Sequence, residues 1–146
     1  MKLTIAWIGK SKDPSASTLT AEYLKRLQRY LLVEGRELSD QAALLKLVSR
    51  PGRTVPVLVL LDSRGKQLTS EELAEFVRNH RDRGSQELIF AVGPADGWSD
   101  ETRKRADVLL SLGKMTLPHE LARVVLTEQL YRAFTILAGH PYHSGH

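Results

Sequence analysis

No cysteine occurs in the 146 residues. Its absence excludes a disulfide framework, a thiolate nucleophile and a cysteine zinc site, and it fits a reducing cytoplasm. Long apolar runs are missing too: nothing approaches the roughly eighteen uninterrupted residues that a spanning helix requires, so no membrane association is expected. The opening MKLTIAWIGK has one lysine before a short apolar run. It lacks the length of a signal h-region and a small-residue cleavage site, and reads as a first strand. With no low-complexity tract, internal repeat or long Pro/Gly linker, residues 1–146 are expected to form a single domain. A hydrophobic content of 42% is enough for one core without metals or crosslinks.

The formal charge of +4 and pI near 9.5 suit a polyanionic partner and are also common among ordinary soluble proteins. Charge alone leaves both readings open.

Along the chain, residues 2–8 read as a strand, and the Ser/Thr/Pro-rich residues 11–18 as a loop leading into a helix. Tyr23, Leu24, Leu27, Tyr30 and Leu31 give that helix its apolar spacing. Residues 32–38 fit a short strand or a helix tail. Ser39, Ala42, Leu45 and Val48 predict a small helix, broken by Pro51 and Gly52. Residues 55–61 are nearly all apolar, as in a central parallel strand buried on both faces, with Pro56 tolerable only near its start. Thr69 and Glu72 form a capping box, with Leu68 and Leu73 at the staple positions; Leu73, Phe76 and Val77 should be the buried face. Residues 88–92 predict another buried strand, ending in the turn-rich loop 93–98. Ser99 caps a short polar helix through Arg105, and residues 108–112 form a further strand. Pro118 suits the first turn of a long helix ending near Ala138, with Gly139 as its stop.

Alternating strands and helices predict an α/β fold with a mostly parallel sheet flanked by helices. Ligands of such sheets collect at the carboxyl ends of strands. Three such ends are therefore expected to wall one site: Leu61 and Asp62, residues 93–97, and residues 113–117. The pattern alone also allows a flavodoxin-like nucleotide binder.

These strand ends, together with GKMTLPHELARV, EQLYRAFTIL and PYH, closely resemble the RlmH-type ribosomal RNA methyltransferases of the SPOUT superfamily. The resemblance extends from MKLTIAWIGK through LLDSRGK and is most specific from residue 92 to 143, which argues against the flavodoxin-like reading. It implies S-adenosylmethionine-dependent methylation of N3 of a pseudouridine in 23S ribosomal RNA by a homodimer. It also implies a C-terminal trefoil knot, from about residue 88 onward, although connection rules would give an unknotted sheet. Alternatives are a SPOUT enzyme acting on another RNA such as tRNA, and a catalytically silent ribosome-binding protein.

By this resemblance, the cofactor lies on Leu61, Gly93, Leu112, Gly113, Lys114, Met115, Thr116 and Leu117. From spacing alone, Met115 and Leu117 would instead plug the core. Family members usually carry adjacent glycines where this chain has Gly93 and Pro94, and proline removes one amide donor. Sulfonium methyl transfer needs no metal, and none is expected. The acceptor's N3 proton must leave, and Tyr142 and His143 are the candidate catalytic residues. In the family this tail approaches the partner subunit's cofactor site. A basic residue usually follows PYH; here Ser144, Gly145 and His146 follow. His119 reads chiefly as a structural residue near the helix cap. Glu128 and Arg132 have the spacing of a surface ion pair. Arg123 and Arg132 are candidate contacts to RNA phosphate. Leu126, Leu130, Ala133 and Leu137 form a stripe for the sheet or a partner. Lys25, Arg26 and Arg29 are either a solvated face or RNA surface.

Overall fold

The computed structural model describes residues 1–143, the last by its backbone alone. Its elements are β1 (Lys2–Ile8), α1 (Pro14–Leu27), β2 (Leu32–Leu38), α2 (Gln41–Val48), β3 (Val57–Gln67), α3 (Ser70–Asp82), β4 (Glu87–Val92), α4 (Asp100–Arg105), β5 (Val108–Ser111) and α5 (His119–Ala138), followed by a 3-10 turn at Pro141–His143. The strands form one sheet in the order β2-β1-β4-β3-β5, and all its pairings are parallel. The predicted layered α/β fold is observed. The stretch 32–38, ambiguous in the sequence, is an edge strand along β1.

Each sheet face has its own core. Helices α1, α3 and α5 cover one face, where Leu3, Ile5, Phe90, Leu126 and Leu130 are among the buried side chains. On the other face Leu44, Leu58, Ile89 and Trp98 are buried together. This explains the solidly apolar β4: its side chains alternate between two cores. β4 holds the centre, so β3 is interior but not central. The stripe of Leu126, Leu130 and Ala133 is fully buried within the chain itself, with Leu137 packed partly exposed beside it.

Helix boundaries depart from the sequence reading where caps decide them. α1 begins at Pro14, inside the expected loop, because Asp13 accepts a hydrogen bond from the Ser15 amide and proline suits the first turn. It ends at Leu27, and Tyr30 and Leu31 pack on the core from the following turn. The Thr69–Glu72 capping box is present. Its helix buries Leu73, Ala74 and Val77, while Phe76 is half-buried. Pro118 is the residue before α5 rather than within it, and Gly139 ends that helix in the left-handed conformation.

Strand β3 contains an irregularity that shapes the site. Leu61 and Lys66 both register with Leu110, so the residues between them bulge out of the ladder. Gly65 sits where a Cβ would lie 2.5 Å from the Leu109 carbonyl, so only glycine lets the bulge close against β5.

Candidate active site

The three segments named from the sequence do meet, but Leu61 and Asp62 are not a strand end: β3 continues past a bulge to Gln67. The segments line one cleft of about 210 Å³, walled by Leu61, Asp62 and Ser63 at the bulge within β3, by Gly93, Pro94 and Gly97 after β4, and by residues 110–117, apart from Lys114, along and after β5. His119 and Ala122 close it from the start of α5. Of the expected cofactor residues, Leu61, Gly93, Leu112, Gly113, Met115, Thr116 and Leu117 line the cleft; Lys114 lies in the same loop with its side chain exposed. Met115 is 87% exposed, so it does not plug the core as spacing alone allowed.

The loop after β5 is held at its root, where the Gly113 amide donates to Ser111 Oγ and Ser111 Oγ donates to the Gly113 carbonyl. Gly113 has φ 137, a conformation that favours glycine. Beyond it, the amides of Lys114, Met115, Thr116 and Leu117 make no hydrogen bond among the described residues. Four successive main-chain donors thus stand at the cleft edge, available to a polar ligand.

Two residues of the site were not picked out from the sequence. Trp98, 5% exposed, donates from its indole nitrogen to the Leu61 carbonyl at 2.7 Å. It also lies so close beneath Gly93 that a Cβ there would approach the ring to 2.7 Å. Gly93 is therefore required by the tryptophan beneath it. Arg103 Nε binds Asp62 Oδ2 at 2.8 Å, and the Arg64 amide donates to the other Asp62 oxygen at 2.8 Å. Burial would raise the pKa of Asp62, but these bonds outweigh it and hold the carboxyl below its usual range. The signals available were a tryptophan inside a Gly/Pro loop and an arginine one turn after the Ser99 cap; neither identifies its partner.

Other expectations need correction. Arg123 is 2% exposed. Its Nε donates to Thr20 Oγ1 at 3.0 Å, its Nη1 to Ser11 Oγ at 2.7 Å, and its guanidinium stacks over Trp7; it is not presented to an RNA phosphate. Arg132 and Glu128 pair at 2.7 Å with both side chains under one-fifth exposed, so this is no exposed surface pair. His119 makes no cap bond and has its side chain among those lining the cleft.

Tyr142 donates to Glu128 Oε2 at 2.8 Å and meets Tyr131 edge-on, while Arg132 lies over its ring. Burial, then the bond to Glu128, push its phenol well above the ordinary range. A phenol so held donates and does not accept a proton. The His143 side chain, Ser144, Gly145 and His146 lie outside the described residues. Among the described residues, no group of three or more His, Asp or Glu side chains is placed to hold a metal ion, and no helix is long and apolar enough to cross a membrane.

Residues 1–143 match the family described as predicted SPOUT methyltransferase. The ribosomal RNA large subunit methyltransferase H of Koribacter versatilis (strain Ellin345) is 66% identical over 146 residues, covering 100% of both chains. Its counterpart from Trichlorobacter lovleyi is 45% identical over 98% of this chain and 99% of its own. Among solved structures, a probable methylase family protein from Haemophilus influenzae Rd KW20 aligns over 98% of this chain and 70% of its own, with a TM-score of 0.58 at 13% identity. The SpoU methyltransferase AviRb from Streptomyces viridochromogenes, in complex with AdoMet, gives 0.57 at 15% identity over 94% and 58%. At such identities the structural likeness speaks for the fold. Full-length identity to the first two relatives, on a sheet whose strand ends build this cleft, shows that the chain belongs to the SPOUT methyltransferases, in the family of ribosomal RNA large subunit methyltransferase H.

Proposed function

We propose that this protein methylates N3 of a pseudouridine in 23S ribosomal RNA, in the cytoplasm, as a homodimer using S-adenosylmethionine. The observation that carries the reading is the convergence of the β3 bulge and the ends of β4 and β5 on one cleft edged by unpaired main-chain amides. Such an edge suits a cofactor with adenine, ribose hydroxyl and carboxylate groups, which need donors and acceptors at fixed places. S-Adenosylmethionine, when bound, supplies a methyl group already activated on a positive sulfur. Leu61, Gly93, Leu112, Gly113, Lys114, Met115, Thr116 and Leu117 would hold it. The protein's own task is to align the acceptor and relieve it of a proton, and positioning of this kind contributes several kcal/mol.

Dimerisation is supported by where the tail is anchored on α5. Its first residue lines the cleft and its last precedes the tail, and twenty residues of helix span about 30 Å. The bond from Tyr142 to Glu128 turns the tail back along α5 and fixes it about 14 Å of helix rise from the cleft end, and in this reading His143 serves a second copy. In this reading Tyr142 is the anchor and His143 the proton acceptor. Threading of the segment from about residue 88 onward into a trefoil knot belongs to the same proposal, as the family implies.

A second reading assigns the proton to His119, which is among the residues lining the cleft of its own chain and makes no helix-cap hydrogen bond. Labelled S-adenosylmethionine, incubated separately with ribosomal particles and with tRNA, tests both readings. Transfer confined to 23S RNA is expected, lost in His143→Ala and retained at a reduced rate in His119→Ala; the reverse pattern favours His119. Transfer to tRNA alone rejects the acceptor, and no cofactor binding by calorimetry at millimolar concentration favours a silent binding protein.

A further inference from the structure

We infer that the turn at residues 9–13 is a lip on which the RNA backbone lies beside the cleft, with Lys10 and Lys12 as its phosphate contacts. This rests on the RNA-methylating reading above and adds where the RNA is held.

The turn belongs to the right edge of the molecule. β1 runs parallel to β4 with Trp7 opposite Val92, so the residues after β1 emerge on the same edge as Gly93. On the far side the turn touches α5: the amides of Lys12 and Asp13 both donate to Glu120 Oε1, at 2.9 and 3.2 Å. Glu120 is the neighbour of His119, which lines the cleft.

The turn is tied down through the amides of Gly9, Ser11, Lys12 and Asp13. The Gly9 amide donates to the Leu38 carbonyl at 2.8 Å. The Ser11 amide and hydroxyl both donate to Glu37 Oε1, and buried Arg123 reaches Ser11 Oγ. The carboxylates facing the turn are thus committed to its main chain: Glu37 to Ser11, Glu120 to Lys12 and Asp13, and Asp13 to the Ser15 amide. Lys10 and Lys12 are exposed, and neither ammonium enters an ion pair or hydrogen bond among the described residues. Across the cleft mouth, Lys114 is also exposed and unpaired. By contrast Arg64 and Arg103, on the wall between, are paired with Asp62. Rigid backbone carrying uncommitted cations beside the cleft fits a polyanion that must be placed with its base directed inward.

The test is binding of the full-length protein to purified large ribosomal subunits and assembled ribosomes over a range of salt, with cofactor affinity and kinetics measured in parallel. Lys10→Ala with Lys12→Ala should lower the slope of log affinity against log salt by roughly two and raise KM about tenfold, leaving kcat and cofactor affinity unchanged. An unchanged slope overturns the lip, as does a slope lost instead in Lys25→Ala on α1 with Arg29→Ala in the turn after it. Salt-dependent particle binding through Lys10 and Lys12 without methyl transfer would keep the lip and reject the enzymatic reading. No particle binding by the unaltered protein overturns both.

Discussion

Gly65 and Gly93 are both required by close approach, but to different things. At Gly65 the obstacle is backbone, the Leu109 carbonyl at 2.5 Å from any Cβ, which cannot move without opening the β3–β5 ladder. At Gly93 it is the Trp98 ring, a side chain that can shift at the expense of its bond to Leu61. Gly65→Ala should therefore cost about 1–3 kcal/mol, visible as a lower midpoint in thermal or urea unfolding, and should disturb the bulge that forms one cleft wall. Arg123 shows the limit of reading residues alone. An arginine on a helix of a basic protein suggests phosphate, yet burial lowers its pKa and its hydrogen bonds turn it inward to Thr20 and Ser11. Only the packing of α1 against α5 decides that.

Among the elements, α4 is short and polar; Gln41 and the Val48 carbonyl hold it to α2, and the Arg103–Asp62 bond ties it to the bulge of β3. Its Ser99 cap and basic last turn were legible because cap chemistry is local. Its role as a clamp on the cleft was not, because Asp62 lies forty-one residues away in sequence. Arg103→Ala should weaken S-adenosylmethionine binding about tenfold in calorimetry, while the unfolding midpoint falls by only a few degrees. The clamp also has a pH sign. Asp62 is held below its ordinary range, so its stabilisation is complete above about pH 4 and is lost as pH falls through the lowered value. Cofactor binding should weaken in that acid window and not near neutrality.

At the scale of the whole molecule, one helix carries the cleft at its start, and the tail that leaves its end folds back onto Glu128, about 14 Å of helix rise from that start. A mixture of His143→Ala protein and Gly113→Trp protein, the second with its cofactor loop obstructed, should regain part of the transfer activity that each lacks alone. Recovery after joint refolding is the measurement; none at all would mean that tail and cleft act within one chain. The alternation of strands and helices, the capping box, the Gly139 stop and the ends of β4 and β5 were all present in the sequence, because periodicity, caps and turns are written in neighbouring residues; the bulge that carries β3 past Leu61 and Asp62 was not. Which strand is central, which arginine is buried, that His119 faces the cleft and that Tyr142 is an anchored donor were decided by tertiary structure alone. Each depends on burial and on partners distant along the chain, and no local pattern encodes those.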